Sequence, residues 1–208
     1  KDLVETAVTA HYRQGGIDVD TKTMRSSVPG LYVAGGLAGH SNGLIALATY
    51  DGKVAADGVA ATLPDLEPCP LPEGQVKDEQ ARLDAILHAK SSDGVSPLQV
   101  QEEIRKVMWD KAGVEKDEGN LNAALEEFHR IRSSLLPRMR VAAKTRRANN
   151  EWLDAVDAVN MLDACELIVH ASLERQESRG PFMRRDYPMT DNKTWLAANL
   201  LIKTEIGM

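Results

Sequence analysis

The stretch Thr9–Gly43, TAHYRQGGIDVDTKTMRSSVPGLYVAGGLAGHSNG, concentrates glycine, histidine and turn residues early in the chain, and its pattern sets the fold class. GIDVD alternates apolar and polar residues, as a half-buried strand does, TKTMRSSVPG carries turn chemistry, and LYVAG is a short apolar strand. The next segment, NGLIALATYDGKVAADGVAATL, has helical composition, with its start expected near Ser41 or Asn42. Strand, turn, strand, loop and helix in this order predict the end of an α/β layer.

Outward from this stretch, PDLEPCPLPEG carries Pro64, Pro68, Pro70 and Pro72, which cannot donate backbone hydrogen bonds and so mark a connector. Beyond it three amphipathic helices are expected. SPLQVQEEIRKVMWDKAG opens with Ser96 as N-cap, Pro97 at the first helical position and Gln99 at the capping-box position, and ends near Gly113. Its apolar set is Val100, Ile104, Val107 and Met108. LNAALEEFHRIRSSLL repeats the spacing through Leu121, Leu125, Phe128, Ile131 and Leu135. EWLDAVDAVNMLDACELIVHASLER does so with Trp152, Val156, Val159, Leu162, Ile168 and Val169. Such stripes bury best against one another, which predicts a small bundle. The expected organisation is an α/β part over 1–63, a Pro-rich linker over 64–75, a three-helix bundle over 76–175 and an irregular tail over 176–208 with NLLIKTEI as a closing strand. The fold class is α+β.

Composition limits the function classes. With 43% hydrophobic and 27% charged residues in 208, the chain can bury a core. A net charge of -6 argues against a nucleic-acid footprint. No apolar run of about 18 residues is present, and KDLVETAV lacks the layout of a signal peptide, so a cytoplasmic protein with no membrane span of its own is expected. Cys69 and Cys165 show neither metal-ligand nor disulfide spacing.

Two places carry candidate chemistry. HYRQGG sets the His11 imidazole just before two glycines and a strand, where it serves either as a loop histidine with one backbone hydrogen bond or as a ligand contact. AGGLAGHSNG ends a strand, lets the backbone pass close to a neighbour, and leads into a helix whose first amides attract an electron-rich group. No GxGxxG or Walker motif occurs.

AHYRQGGIDVDTKTMRSSVPGLYVAGG, a helix containing YDGKVAA, and the tail ERQESRGPFMRRDYPMTDNKTWL together resemble the last part of the succinate dehydrogenase and fumarate reductase flavoprotein superfamily. That group includes L-aspartate oxidase and, more distantly, the adenylylsulfate reductase α subunit. The resemblance runs over nearly the whole chain and implies the end of a Rossmann-like FAD-binding domain followed by a helical domain and tail. It implies FAD as cofactor, with Gly35, Gly36, Asn42, Gly43 and Leu44 approaching the isoalloxazine ring and His11 contacting a dicarboxylate substrate. Amides at a helix start suit the negative charge that a reduced flavin carries near N1 and O2. It also implies an iron–sulfur partner subunit, through which the assembly sits at the inner face of a membrane.

The sequence departs from the family pattern at three points. Gly35 and Gly36 stand where relatives carry GE or GD, the loop GHSNGLIA lacks the arginine that clamps a substrate carboxylate, and Phe182 stands where relatives often carry histidine. Loss of a fork-shaped donor costs roughly 2 to 5 kcal/mol of binding, which argues against fumarate or succinate as substrate. His40 is the candidate replacement donor, or else a capping residue. Glu177, Arg179, Arg184 and Asp186 are expected to pin the tail by ion pairs. The run RIRSSLLPRMRVAAKTRR is either a solvated helix end or a docking face for an acidic partner.

In such flavoproteins the dinucleotide-binding segment precedes the HYxxGG motif, so the chain is expected to be the C-terminal portion of a flavin-dependent oxidoreductase and inactive alone. The parent would move a hydride between FAD and a small carboxylate-bearing substrate, with His11 and His40 as candidate catalytic residues. The alternative is a non-catalytic assembly module that docks a partner subunit.

Overall fold

The computed structural model describes residues 16–40, 44–65, 70–91 and 93–201, and over these the chain is a helix-rich α+β protein. It divides into two compact units between Pro70 and Leu71.

In the first unit, β1 (Val19–Asp20) and β2 (Arg25–Ser26) pair antiparallel, with Val19 opposite Ser26 and Asp20 opposite Arg25. Asp20 makes the reversal. Its carboxylate accepts the Lys22 N–H at 2.9 Å and the Thr23 hydroxyl at 3.2 Å, while its carbonyl accepts the Met24 N–H at 2.7 Å. Met24 is left-handed (φ 57°) and fully buried, so the strained backbone sends an apolar side chain into a small core with Val33 and Ala38.

The LYVAG strand is reduced to one antiparallel bridge, Tyr32 to Arg25, because the chain turns at Gly35 into a short 3-10 turn, Gly35–Leu37, instead of extending. The helix α1 (Ile45–Thr62) starts later than the expected Ser41 or Asn42, with Leu44 as its N-cap. Gly58 lets the hairpin pack on α1: a Cβ there would lie 2.5 Å from the Thr23 carbonyl oxygen. The Tyr32 hydroxyl then reaches the Thr62 hydroxyl at 2.7 Å.

The second unit holds α2 (Glu73–His88), α3 (Pro97–Lys111), α4 (Glu118–Arg130) and α5 (Asn150–Glu174). Among the described residues, four helices therefore stand where three were expected. α2 escapes a periodicity reading because its surface is mostly exposed, and only Leu87 is fully buried. It is tied down by polar contacts instead: the Trp152 indole donates to the Leu83 carbonyl at 3.1 Å, and Lys144 Nζ donates to the Leu87 carbonyl at 2.8 Å.

The capping box at α3 forms as read, with the Gln99 N–H donating to Ser96 Oγ at 3.3 Å and the Ser96 N–H to Gln99 Oε1 at 2.8 Å. After α4 the helix widens into a π turn, Ile131–Leu135. Pro137 has no N–H to continue an α ladder, and the Leu136 N–H bonds back to the Ile131 carbonyl instead.

On α5 the buried stripe is Ala155, Ala158, Leu162, Cys165, Val169 and Ser172. Of the large residues expected to line it, Leu162 and Val169 do so, whereas Trp152 and Val159 are partly buried. Small side chains let α3 and α4 approach closely. A parallel pair, β3 (Glu115–Lys116) with β4 (Met183–Arg184), gives the tail a fixed place beside the bundle. Asn199–Leu201 form no strand, and the rest of NLLIKTEI lies outside the described residues.

Candidate functional site

The candidate flavin-facing elements meet at the start of α1. Gly35 is buried and left-handed (φ 70°), and a Cβ there would sit 3.2 Å from the Ala48 Cβ. Its N–H donates to Asp51 Oδ2 at 3.2 Å. The other carboxylate oxygen, Oδ1, lies 3.5 Å from His40 Nε2. Asp51 is 4% exposed, while the His40 side chain is one-third exposed. His40 therefore does not cap α1 through its first turn but faces a carboxylate two turns into the helix.

Gly36 is half-buried in the turn that follows Gly35, and Leu44 is exposed. Leu44 brings no side-chain acceptor to the N-cap, and the first turn of α1 contains no acidic residue. Among the described residues, neither the N-cap side chain nor a first-turn acid therefore serves the leading amides of α1, which attract an electron-rich group. Leu37, Leu44 and Ile45 beside them are 57%, 60% and 87% exposed, an apolar surface for a flat ring to cover. This donor set fits the electron-rich edge and apolar face of a flavin. His11, Asn42 and Gly43 lie outside the described residues. Asp51, within the YDGKVAA segment, had no role assigned by sequence; an acidic residue inside an Ala-rich helix was the available signal.

The second cluster is in the tail. Glu177 is fully buried between two guanidinium groups: Arg179 donates from Nε at 2.9 Å and from Nη2 at 3.0 Å, and Arg175 donates from Nη1. The Asp191 N–H adds a bond at 2.8 Å. These donors, the Arg179 hydrogen bond foremost, hold the Glu177 carboxyl below its usual range.

Arg184, 2% exposed, closes the C-terminus of α5 by donating to the Ser172, Leu173 and Arg175 carbonyls at 2.5, 3.1 and 3.1 Å. It also grips both oxygens of Asp186, at 2.8 and 2.7 Å, and Asp186 in turn accepts the Glu118 N–H at the start of α4 at 2.9 Å. One Arg–Asp pair thereby places a cation at one helix C-terminus and an anion at another N-terminus, each against the matching dipole end. The Arg184 hydrogen bond is the main cause of the Asp186 carboxyl being lowered to about 2.

The basic run is largely consumed within the bundle. Arg132 pairs with Asp163 and Glu166 of α5, Arg138 with Asp93, and Arg146 with Asp84 of α2. Arg130 bonds Glu127 at 2.8 Å and lies 3.7 Å from Glu103. Arginines already matched by acids of the same chain offer little uncompensated charge to an acidic partner.

Residues 101–207 match the family model described as "Fumarate reductase flavoprotein C-term". The chain is 28% identical to the fumarate reductase flavoprotein subunit of Mycobacterium tuberculosis, over 99% of this chain and 37% of that protein. It is 29% identical to the L-aspartate oxidase of Streptomyces coelicolor, over 92% of this chain and 33% of that protein. The chain thus spans about a third of the length of these curated relatives. Among solved structures it resembles the Mycobacterium smegmatis Sdh1 complex in its apo form, with 31% identity and a TM-score of 0.77 over 86% of this chain and 31% of that one. The E. coli quinol fumarate reductase gives a TM-score of 0.79 at 19% identity, a likeness of fold, over 90% of this chain and 33% of that one.

Proposed function

Because the chain belongs to the fumarate reductase flavoprotein C-terminal family, we propose that it forms part of an FAD-dependent oxidoreductase acting on a small carboxylate-bearing substrate. When bound, FAD supplies hydride acceptance and donation. The chain's own contribution is to bind and orient: Gly35 allows the tight turn, the leading amides of α1 meet the electron-rich edge of the ring, and Leu37, Leu44 and Ile45 keep water off its face. The observation that carries this reading is the start of α1, which among the described residues has no acidic residue in its first turn, has no cap from the Leu44 side chain and is flanked by exposed apolar residues.

His40 is the cationisable side chain nearest that turn by sequence, and we assign it the substrate carboxylate together with His11. Asn42 and Gly43 are assigned to the flavin alongside Gly35, Gly36 and Leu44. Electrons would pass to or from an iron–sulfur partner, placing the assembly at a membrane through other subunits. The helix-rich second unit then acts as scaffold, consistent with a basic run that neutralises itself internally. That internal pairing also weighs against the assembly-module alternative in its acidic-partner form.

Titration with FAD of the oxidoreductase of which we propose this chain forms part, followed by flavin fluorescence and by absorption after removal of excess ligand, tests the reading. Quenching that depends on Gly35, and is lost in Gly35→Val, is the expected result. Quenching of the same size in wild type and Gly35→Val would remove the α1 start as the flavin contact.

A further inference from the structure

Between Arg25 and Lys53 the sequence contains one basic side chain, His40, and one carboxylate, Asp51. The fold brings these two together at 3.5 Å, with the carboxylate buried and the imidazole partly open to solvent. A buried carboxylate is costly unless both its oxygens are served. Here the oxygens are divided: Oδ2 takes the Gly35 N–H, and Oδ1 faces His40 Nε2.

We propose that Asp51 is the positioning residue of this site, fixing His40 with Nε2–H directed at its carboxylate so that Nδ1 is the ring atom offered to an anionic ligand. The inference rests on the reading above that this loop receives a carboxylate-bearing substrate. In a neutral imidazole one nitrogen donates and the other accepts, and the partner of one decides the state of the other. A carboxylate opposite Nε2 repels a lone pair there and attracts N–H, which leaves Nδ1 unprotonated toward solvent. When a ligand carboxylate arrives, Nδ1 takes up a proton from a buffer acid, whose conjugate base stays in solution, and Asp51 stabilises the resulting imidazolium while Nδ1–H donates to the ligand. Asp51 does not touch the ligand. The same carboxylate also shapes the Gly35 turn, so the turn and the imidazole are set by one group.

The two duties separate by substitution. The Gly35 N–H needs only an acceptor, which the amide oxygen of Asp51→Asn provides, whereas holding an Nε2–H and stabilising an imidazolium need the charge. In the full chain labelled with 15N at the histidine ring, two-bond proton–nitrogen spectra should show wild-type His40 protonated at Nε2 with slow solvent exchange. Added propionate, a monocarboxylate probe that needs no second clamp, should shift the Nδ1 resonance. In Asp51→Asn the Gly35 amide should keep its exchange protection while the slow Nε2 proton is lost, and propionate should act about tenfold more weakly, as expected for removing a charged hydrogen-bond partner.

Identical His40 spectra in the two proteins would overturn the inference. So would a wild-type proton on Nδ1 with bare Nε2, a result that needs no variant to fold, or an Nδ1 resonance that propionate leaves unmoved. FAD binding is read separately. An intact His40 signature with no flavin quenching strikes the flavin reading alone, and quenching with the wrong tautomer strikes only the role of Asp51.

Discussion

The two units use their ionisable groups in opposite ways. In the unit around α1 the core is Met24, Val33 and Ala38, a buried carboxylate faces a half-open histidine, and large apolar side chains stand in solvent at the helix start. In the helical unit the core runs continuously through α3, α4 and α5, and the buried charges, Glu177 and Arg184, are fully engaged with partners of the same chain. A charge that closes helix ends and pins a tail is structural. A charge whose partner reaches solvent remains available to a ligand.

The largest expected effect breaks the structural side of this contrast. Arg184→Met strands the Asp186 carboxylate and removes the donor to three carbonyls at the end of α5, and loss of one partner of a buried pair costs about 3 kcal/mol or more. Denaturant unfolding of the helical unit should show this loss. The double variant Arg184→Met with Asp186→Asn should recover part of it, because the stranded charge is then gone. A cost under about 0.5 kcal/mol in the single variant, the range of an ordinary surface substitution, would place Arg184 among surface pairs.

Gly58 sharpens the comparison from the other side. An interior helical glycine replaced by alanine ordinarily gains about 0.5–1 kcal/mol. At Gly58 the added Cβ meets the Thr23 carbonyl oxygen at 2.5 Å, a backbone atom that yields only if the hairpin moves. Gly58→Ala should therefore destabilise by about 1–3 kcal/mol, in the range of overpacked sites. Hydrogen exchange at the Val33 N–H, which bonds the Met24 carbonyl at 2.9 Å, should quicken while α5 amides stay protected. A gain in stability would mean that hairpin and helix are not tightly packed.

How much of this was legible follows from which forces leave a sequence signature. Ser96, Pro97 and Gln99 act within four residues of each other, and the start of α3 was read correctly to the residue. The stripes read for α3 and for α4 with its π turn came from large apolar residues, of which Val100, Ile104, Val107, Leu121, Phe128 and Ile131 are buried, while Met108, Leu125 and Leu135 are half-buried against them. On α5 the closest packing is made by Ala155 and Ala158, which a search for large residues passes over because burial of a small side chain depends on how near the neighbouring helix comes. The fourth helix, α2, was missed because it is held through Trp152, Lys144 and Arg146, all distant in sequence. At the candidate site, Gly35 was singled out from local turn chemistry. Asp51 was not, since its meaning comes from a contact with His40 across a loop.

Acid titration should isolate one of these contacts. The Asp186 carboxyl has an ordinary value of 3.8 and is lowered to about 2 in the fold. A lowered carboxylate contributes stability that is present above the unfolded value and is lost as pH falls through the folded one. The window therefore lies between about pH 4 and pH 2, and with the group partly exposed the contribution is about 1–2 kcal/mol. Asp186→Asn should flatten the stability profile in that window and lower stability at neutral pH by a similar amount. An unchanged acid slope would show that other carboxylates, Glu177 foremost, set the acid limit.

The smallest expected effect comes from a pair that looks the same on paper. Arg146 Nη2 reaches both oxygens of Asp84 at 2.7 and 2.6 Å, as close as the grip of Arg184 on Asp186. The side chains of Arg146 and Asp84 are 67% and 36% exposed, against 1% and 27% for Arg184 and Asp186. In water the Coulomb gain is offset by solvation and by the entropy of holding two mobile side chains, so Arg146→Ala should cost under about 1 kcal/mol, and less at high salt. A cost equal to that of Arg184→Met would mean that α2 depends on this pair for its place in the bundle. The contrast between buried and exposed arginines would then give way to one between helices with a deep apolar face and a helix without one.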